Sequence, residues 1–124
     1  METEKPRDIK ERTFTFALEI IRLCRWLDDS PGVRKTLGKQ LLRSGTSIGA
    51  NVEEAQAGQS KADFTSKYAI ALKEARETVY WLRLLKESGL SNDGSIDTLI
   101  QEADDLSRII GSIIVKTKRG NHNV

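Results

Sequence analysis

The sequence predicts an all-α protein, an antiparallel up-down-up-down bundle of four helices. Three observations lead there. Apolar residues recur at alternating spacings of three and four through four long stretches, the period of a helix with one buried face. The two prolines, Pro6 and Pro31, both precede such stretches, so nothing from Gly32 onward forbids helix. No period-two alternation competes with these patterns. At 124 residues the chain makes a single domain with room for one core. The helices are expected at about 8–29, 31–57, 60–88 and 93–117, with short links that make neighbours antiparallel.

Helix 1 opens on Asp8 and Glu11, the spacing of a capping box in which each side chain reaches the other's free N–H. Ile9, Phe16, Ile20, Leu23 and Leu27 form its buried stripe. Phe14, Ala17, Leu18, Ile21 and Cys24 widen that stripe, so this helix is apolar on more than one side and ends near Asp29. Ser30 then offers a cap and Pro31 a first helical residue whose missing N–H does no harm. Helix 2 carries Val33, Leu37, Leu41, Ile48, Val52 and Ala55 and stops at Gly58. Ser60 and Asp63 cap helix 3, which buries Phe64, Tyr68, Leu72, Ala75, Val79, Leu82 and Leu85 before Ser88-Gly89. After the turn residues SNDGS (91–95), helix 4 presents Ile96, Leu99, Ala103, Leu106, Ile110 and Ile113, with Ile100, Ile109 and Ile114 beside them.

Composition narrows the function classes. Charged residues make up 31% and apolar ones 38%, a globular balance with a net charge of only +2. Cys24 is the single cysteine, which excludes an internal disulfide and a thiol cluster for zinc. The start METEKPRDIKER lacks the apolar run of a signal peptide, and no run approaches membrane-spanning length. A cytoplasmic protein with no membrane partner is the expectation.

Gly38, Gly45 and Gly49 stand inside helix 2, seven and four residues apart and therefore on one face. Each costs about 1 kcal/mol of helix stability relative to alanine, so something must offset the loss. Either they accept bulky side chains of the same subunit, such as Trp81 or Phe16, or they seat a helix from another subunit. The excess apolar width of helices 1 and 4 tilts the balance towards an oligomer formed through helices 1 and 2. Arg43, Ser47, Asn51 and Glu54 make one polar line along helix 2, and Glu77 of helix 3 faces Arg43 if the two run antiparallel. That line reads as a binding groove or as a hydrogen-bonded network that fixes register, with Asn51 expected to bond across a helix interface.

The run QLLRSGTSIGANVEEA (40–55) resembles the signature of the four-helix-bundle proteins encoded in intervening sequences of bacterial 23S ribosomal RNA genes. Gln40, Leu41, Arg43, Ser47, Ile48, Asn51, Val52 and Glu54 carry the match, and Phe64, Ala71, Glu77 and Leu82 continue it on helix 3. The likeness covers most of residues 9–114. The chain departs from the pattern after Glu54, where Ala55 follows and glycine comes only at Gly58, so a longer helix 2–3 turn is expected. The resemblance implies a ring-like homo-oligomer, a pentamer, and kinship to accessory proteins of diversity-generating retroelements, which work with reverse transcriptase and nucleic acid. It brings no enzymatic activity and no cofactor.

Between Ser30 and Val52 there is no acidic residue, while Arg34, Lys35, Lys39 and Arg43 add four positive charges. Lys116, Lys118 and Arg119 add three more in a short basic tail running to residue 124. A ring would repeat these patches, so RNA or DNA, or a protein that handles it, is the expected partner, held by charge and shape. No exposed-aromatic pattern points to sequence readout. Equally, the basic helix 2 can face the acids of helix 4 (Asp93, Asp97, Glu102, Asp104, Asp105), leaving a protein-only adaptor.

An enzyme has little to stand on. His122 is the single histidine and lies near the end of the chain, leaving the serines without a base, and no Glu-x-x-His pair offers a di-iron site. Glu74 and Glu77 with Glu102 and Asp105 resemble the paired carboxylates of all-α nucleotide pyrophosphohydrolases that hold Mg²⁺. The same spacing equally serves solvent-facing ion pairs. No metal site and no catalytic residue is assigned.

Overall fold

The structure is a computed structural model and describes residues 8–91 and 94–120. Its elements are α1 (Ile9–Asp28), α2 (Val33–Gln56), α3 (Lys61–Glu87) and α4 (Ser95–Gly120), with no strand among the described residues. Pro6, Asp93 and His122 lie outside them.

Local chemistry sets the helix ends. Asp8 caps α1 by accepting from the Lys10 N–H at 2.6 Å, and Ser60 caps α3 by accepting from the Asp63 N–H at 3.1 Å. The start of α2 departs from expectation. Ser30 does not cap it; its hydroxyl instead accepts from the Arg34 guanidinium at 2.9 Å. The turn is made by Gly32 at φ +91°, and the helix begins at Val33, two residues later than the Ser-Pro pair implies. A side chain at Gly32 would meet nothing, so backbone conformation and not space is what calls for glycine there. Gly89 at φ +78° plays the matching part just after α3. At the other end α4 runs to Gly120, so Lys116, Lys118 and Arg119 belong to a helix and not to a tail.

The helices pack in chain order, and paired residues give the directions. Leu27 meets Gly38, Ile20 meets Gly45 and Thr13 meets Gly49, so α2 descends against α1. Arg43 meets Glu77 while Glu54 meets Lys67, so α3 climbs against α2. Lys86 meets Asp97 across the α3–α4 turn. α4 returns to α1 along a thinner seam, where Arg12 grips Glu102 through two hydrogen bonds of 2.7 and 3.1 Å. Phe16, Ile20, Leu27, Leu41, Ile48, Tyr68, Leu82, Leu85, Leu106 and Ile110 fill the middle, fully buried. Tyr68 stacks on Phe64 at 4.4 Å between centroids, and its hydroxyl accepts from Gln56 at 3.1 Å.

The glycine stripe finds its partner here. A Cβ on Gly38 would lie 3.3 Å from Leu27, one on Gly45 2.9 Å from Ile20, and one on Gly49 3.3 Å from the Thr13 carbonyl oxygen. All three partners belong to α1 of the same chain. The stripe therefore seats α1 and not a helix of another copy, which corrects one of the two sequence-level readings. Nor are the guests Trp81 or Phe16. Close backbone approach gains dispersion contacts that offset the helix-propensity cost of the glycines.

Candidate functional site

The polar line on α2 resolves into separate contacts. Arg43 turns to α3, where it pairs with Glu74 at 3.3 Å and with Glu77. The sequence expectation for Arg43 and Glu77 is thus met. Glu77 also accepts from the Trp81 indole N–H at 3.0 Å. That bond, reinforced by Arg43, holds the Glu77 carboxyl below its ordinary range. Its stabilising contribution is present above the ordinary carboxylate pKa and is lost as pH falls through the lower, folded value. Acid titration of unfolding should therefore show stability dropping through this window in the native chain and dropping less in Glu77→Gln.

Among the described residues Asn51 makes no bond to another helix of the chain. Its amide donates to the Ser47 carbonyl of its own helix at 2.9 Å, a local alternative open to any asparagine in a helix. The buried polar link between α2 and α3 is instead made by Ser44 and Thr78, with hydroxyl oxygens 3.0 Å apart and both residues fully buried. Their periodic placement among apolar residues was the available sign. Glu54 reaches Lys67 at 2.9 Å across the exposed α2–α3 seam.

The seven basic candidates do not form one surface. Arg34 lies over the Trp26 ring at 5.0 Å and lines a cleft of about 810 Å³ with Arg22, Glu19 and Thr98. Lys35 makes a loose 3.9 Å pair with Asp28, and Lys39 is exposed beside it. Arg43 is engaged by two carboxylates and is a poor choice for phosphate. Lys116, Lys118 and Arg119 stand at the far end, where Lys61 brings its ammonium within 4.0 Å of a Cβ placed on Gly120. Counting about 1.5 Å per helical residue, the two groups stand roughly 30 Å apart along the bundle.

The carboxylates considered for Mg²⁺ do not converge. Glu74 and Glu77 turn to Arg43 of α2, while Glu102 turns to Arg12 of α1 and Asp105 to Arg108. Among the described residues no three His, Cys, Asp or Glu side chains gather as a metal site. Cys24 is buried, its thiol lies 3.4 Å from the Gly38 carbonyl, and burial pushes it up to about 12, so it carries no ready thiolate. No described helix is long and apolar enough to cross a membrane.

Outside the core, Phe14, Leu18 and Ile21 line the outer face of α1, and Leu42, Thr46 and Ala50 line the adjoining face of α2. The pairing of Ile20 with Gly45 and of Thr13 with Gly49 sets these two lines side by side.

Fold and surfaces together define a small all-α bundle protein with an apolar outer seam on α1 and α2. The chain belongs to the 23S rRNA-intervening sequence protein family, whose model matches residues 5–112. This is the family that the helix 2 block resembles. A crystal structure of a protein of unknown function from the S23 ribosomal protein family of Bacteroides thetaiotaomicron is 39% identical, with a TM-score of 0.80 over 86% of this chain and 98% of the other. No curated protein matches.

Proposed function

We propose that this chain is a non-enzymatic, self-assembling helical scaffold that holds nucleic acid by charge, through basic surfaces repeated around a ring-like homo-oligomer. The observation that carries this reading is the C-terminal end of α4. Lys116, Lys118 and Arg119 cluster there and Lys61 adjoins them, and none of the four takes part in an ion pair among the described residues. Cations held at a helix C-terminus are favoured by the helix dipole and remain available to phosphate. The apolar outer seam of α1 and α2 is the surface on which a second copy docks, in place of the glycine stripe.

Salt titration of binding tests the proposal. Affinity for structured RNA should fall steeply with salt. Reversing Lys35, Lys39, Lys116, Lys118 and Arg119 to glutamate should weaken it at every salt, lowering the log–log slope by about one for each phosphate no longer neutralised. Undiminished binding by that variant would remove these surfaces from the mechanism.

A further inference from the structure

The outer face of α3 carries a pattern that contiguous runs of basic residues do not show. At about 100° per residue, Lys73, Arg76, Tyr80 and Arg83 fall within an arc of about 80°, and they span about 15 Å of helix. All four are exposed, with Tyr80 at 56%, more than most large apolar side chains of the chain. The ring of Tyr80 is braced edge to face on Trp81, with centroids 5.2 Å apart and planes at 68°. Trp81 is itself tied to Glu77, and Glu77 to Arg43. An exposed aromatic ring is thus backed by a fixed one.

The charges around it are unbalanced. Glu74 and Glu77, which share the helix with Lys73 and Arg76, turn away to Arg43 of α2. Asp104 of α4, which lines a shallow groove with Arg76, is held by Arg108. Glu87 is the one carboxylate on the arc among the described residues, a turn beyond Arg83, and no ion pair joins them. Three cations therefore flank one aromatic face with little acid to neutralise them.

We propose that the outer face of α3 is a platform for single-stranded nucleic acid, on which Tyr80 stacks an unpaired base and Lys73, Arg76 and Arg83 hold the adjoining phosphates. Its length matches roughly four nucleotides at the ~3.4 Å spacing of a stacked strand. Stacking requires a base free of its complement, so this surface prefers single strands, whereas cations alone do not discriminate. The inference rests on the nucleic-acid reading above and assigns it a strand type and a second surface.

Fluorescence anisotropy of the full chain with a labelled mixed-sequence RNA single strand and with the matching duplex tests it. The native chain should prefer the single strand. Tyr80→Ala should weaken single-strand binding about tenfold and leave duplex binding within about twofold, and Tyr80→Trp should restore it. Arg76→Gln with Arg83→Gln should weaken both ligands and flatten the salt dependence. These side chains are exposed, so circular dichroism should report an unchanged fold for each variant. Equal single-strand binding by Tyr80→Ala, or a duplex preference in the native chain, overturns the platform while leaving the charge-based reading in place. Failure of the native chain to bind either ligand overturns both.

Discussion

Gly45→Leu is expected to cost the fold about 3 kcal/mol or more in urea unfolding. The reason is geometric. A Cβ at Gly45 would stand 2.9 and 3.0 Å from the two γ carbons of Ile20 and 3.3 Å from its Cβ. Ile20 is fully buried in the middle of α1, so its own Cβ has nowhere to retreat. Alanine at this position adds one carbon and regains about 1 kcal/mol of helix propensity, so gain and clash nearly cancel. Leucine adds three further carbons to the same gap, and α1 and α2 must separate to admit them. Gly111→Ala is the control. It lies within α4 where an added Cβ meets nothing, so it should stabilise by about 1 kcal/mol. If Gly45→Leu unfolds at the same urea concentration as the native chain, the close α1–α2 contact is not what holds this pair together.

Gly45 also marks how far the sequence could be read. The four helices follow from apolar spacing because burial of one face leaves a period that no other element shares. Ser60 at the start of α3 and the Arg43–Glu77 pair were equally legible, since capping and antiparallel facing depend on local spacing. The glycines were legible only in part. Spacing fixes the face on which Gly38, Gly45 and Gly49 lie, yet two surfaces can cover that face, and the choice of α1 depends on tertiary packing. Asn51 failed for a related reason: a helical asparagine can satisfy itself on the carbonyl four residues back, and sequence does not show which bond it makes. The basic residues misled through chain order. Arg34 and Arg43 are close in sequence, but one lies over Trp26 and the other is taken by α3. Tyr80 was hidden because Glu74 and Glu77 look like neutralising neighbours of Lys73 and Arg76 until both are seen to face α2.

If the chain assembles as proposed, Phe14→Glu with Leu18→Glu is expected to reduce it to the mass of one chain in light scattering at micromolar concentration, with helicity unchanged. Phe14 and Leu18 are 61% and 40% exposed, so neither contributes enough to the core for charge at these positions to unfold the subunit. They stand on the outer line of α1 with Ile21, beside Leu42 and Thr46 of α2, and leave the inner glycine contact untouched. Burying the exposed part of each such side chain against another copy contributes about 0.6–2 kcal/mol, and a carboxylate in its place must be desolvated without a partner. In a closed ring every interface carries the same two changes, so the losses recur at each contact and the assembly fails as a whole. Gly45→Leu and the double glutamate thus separate two roles that helices 1 and 2 could share: the first strikes the inside of the subunit, and the second strikes only its outside. A native chain that already weighs a single polypeptide would remove the ring, and with it the repeated phosphate contacts that make weak basic patches bind together.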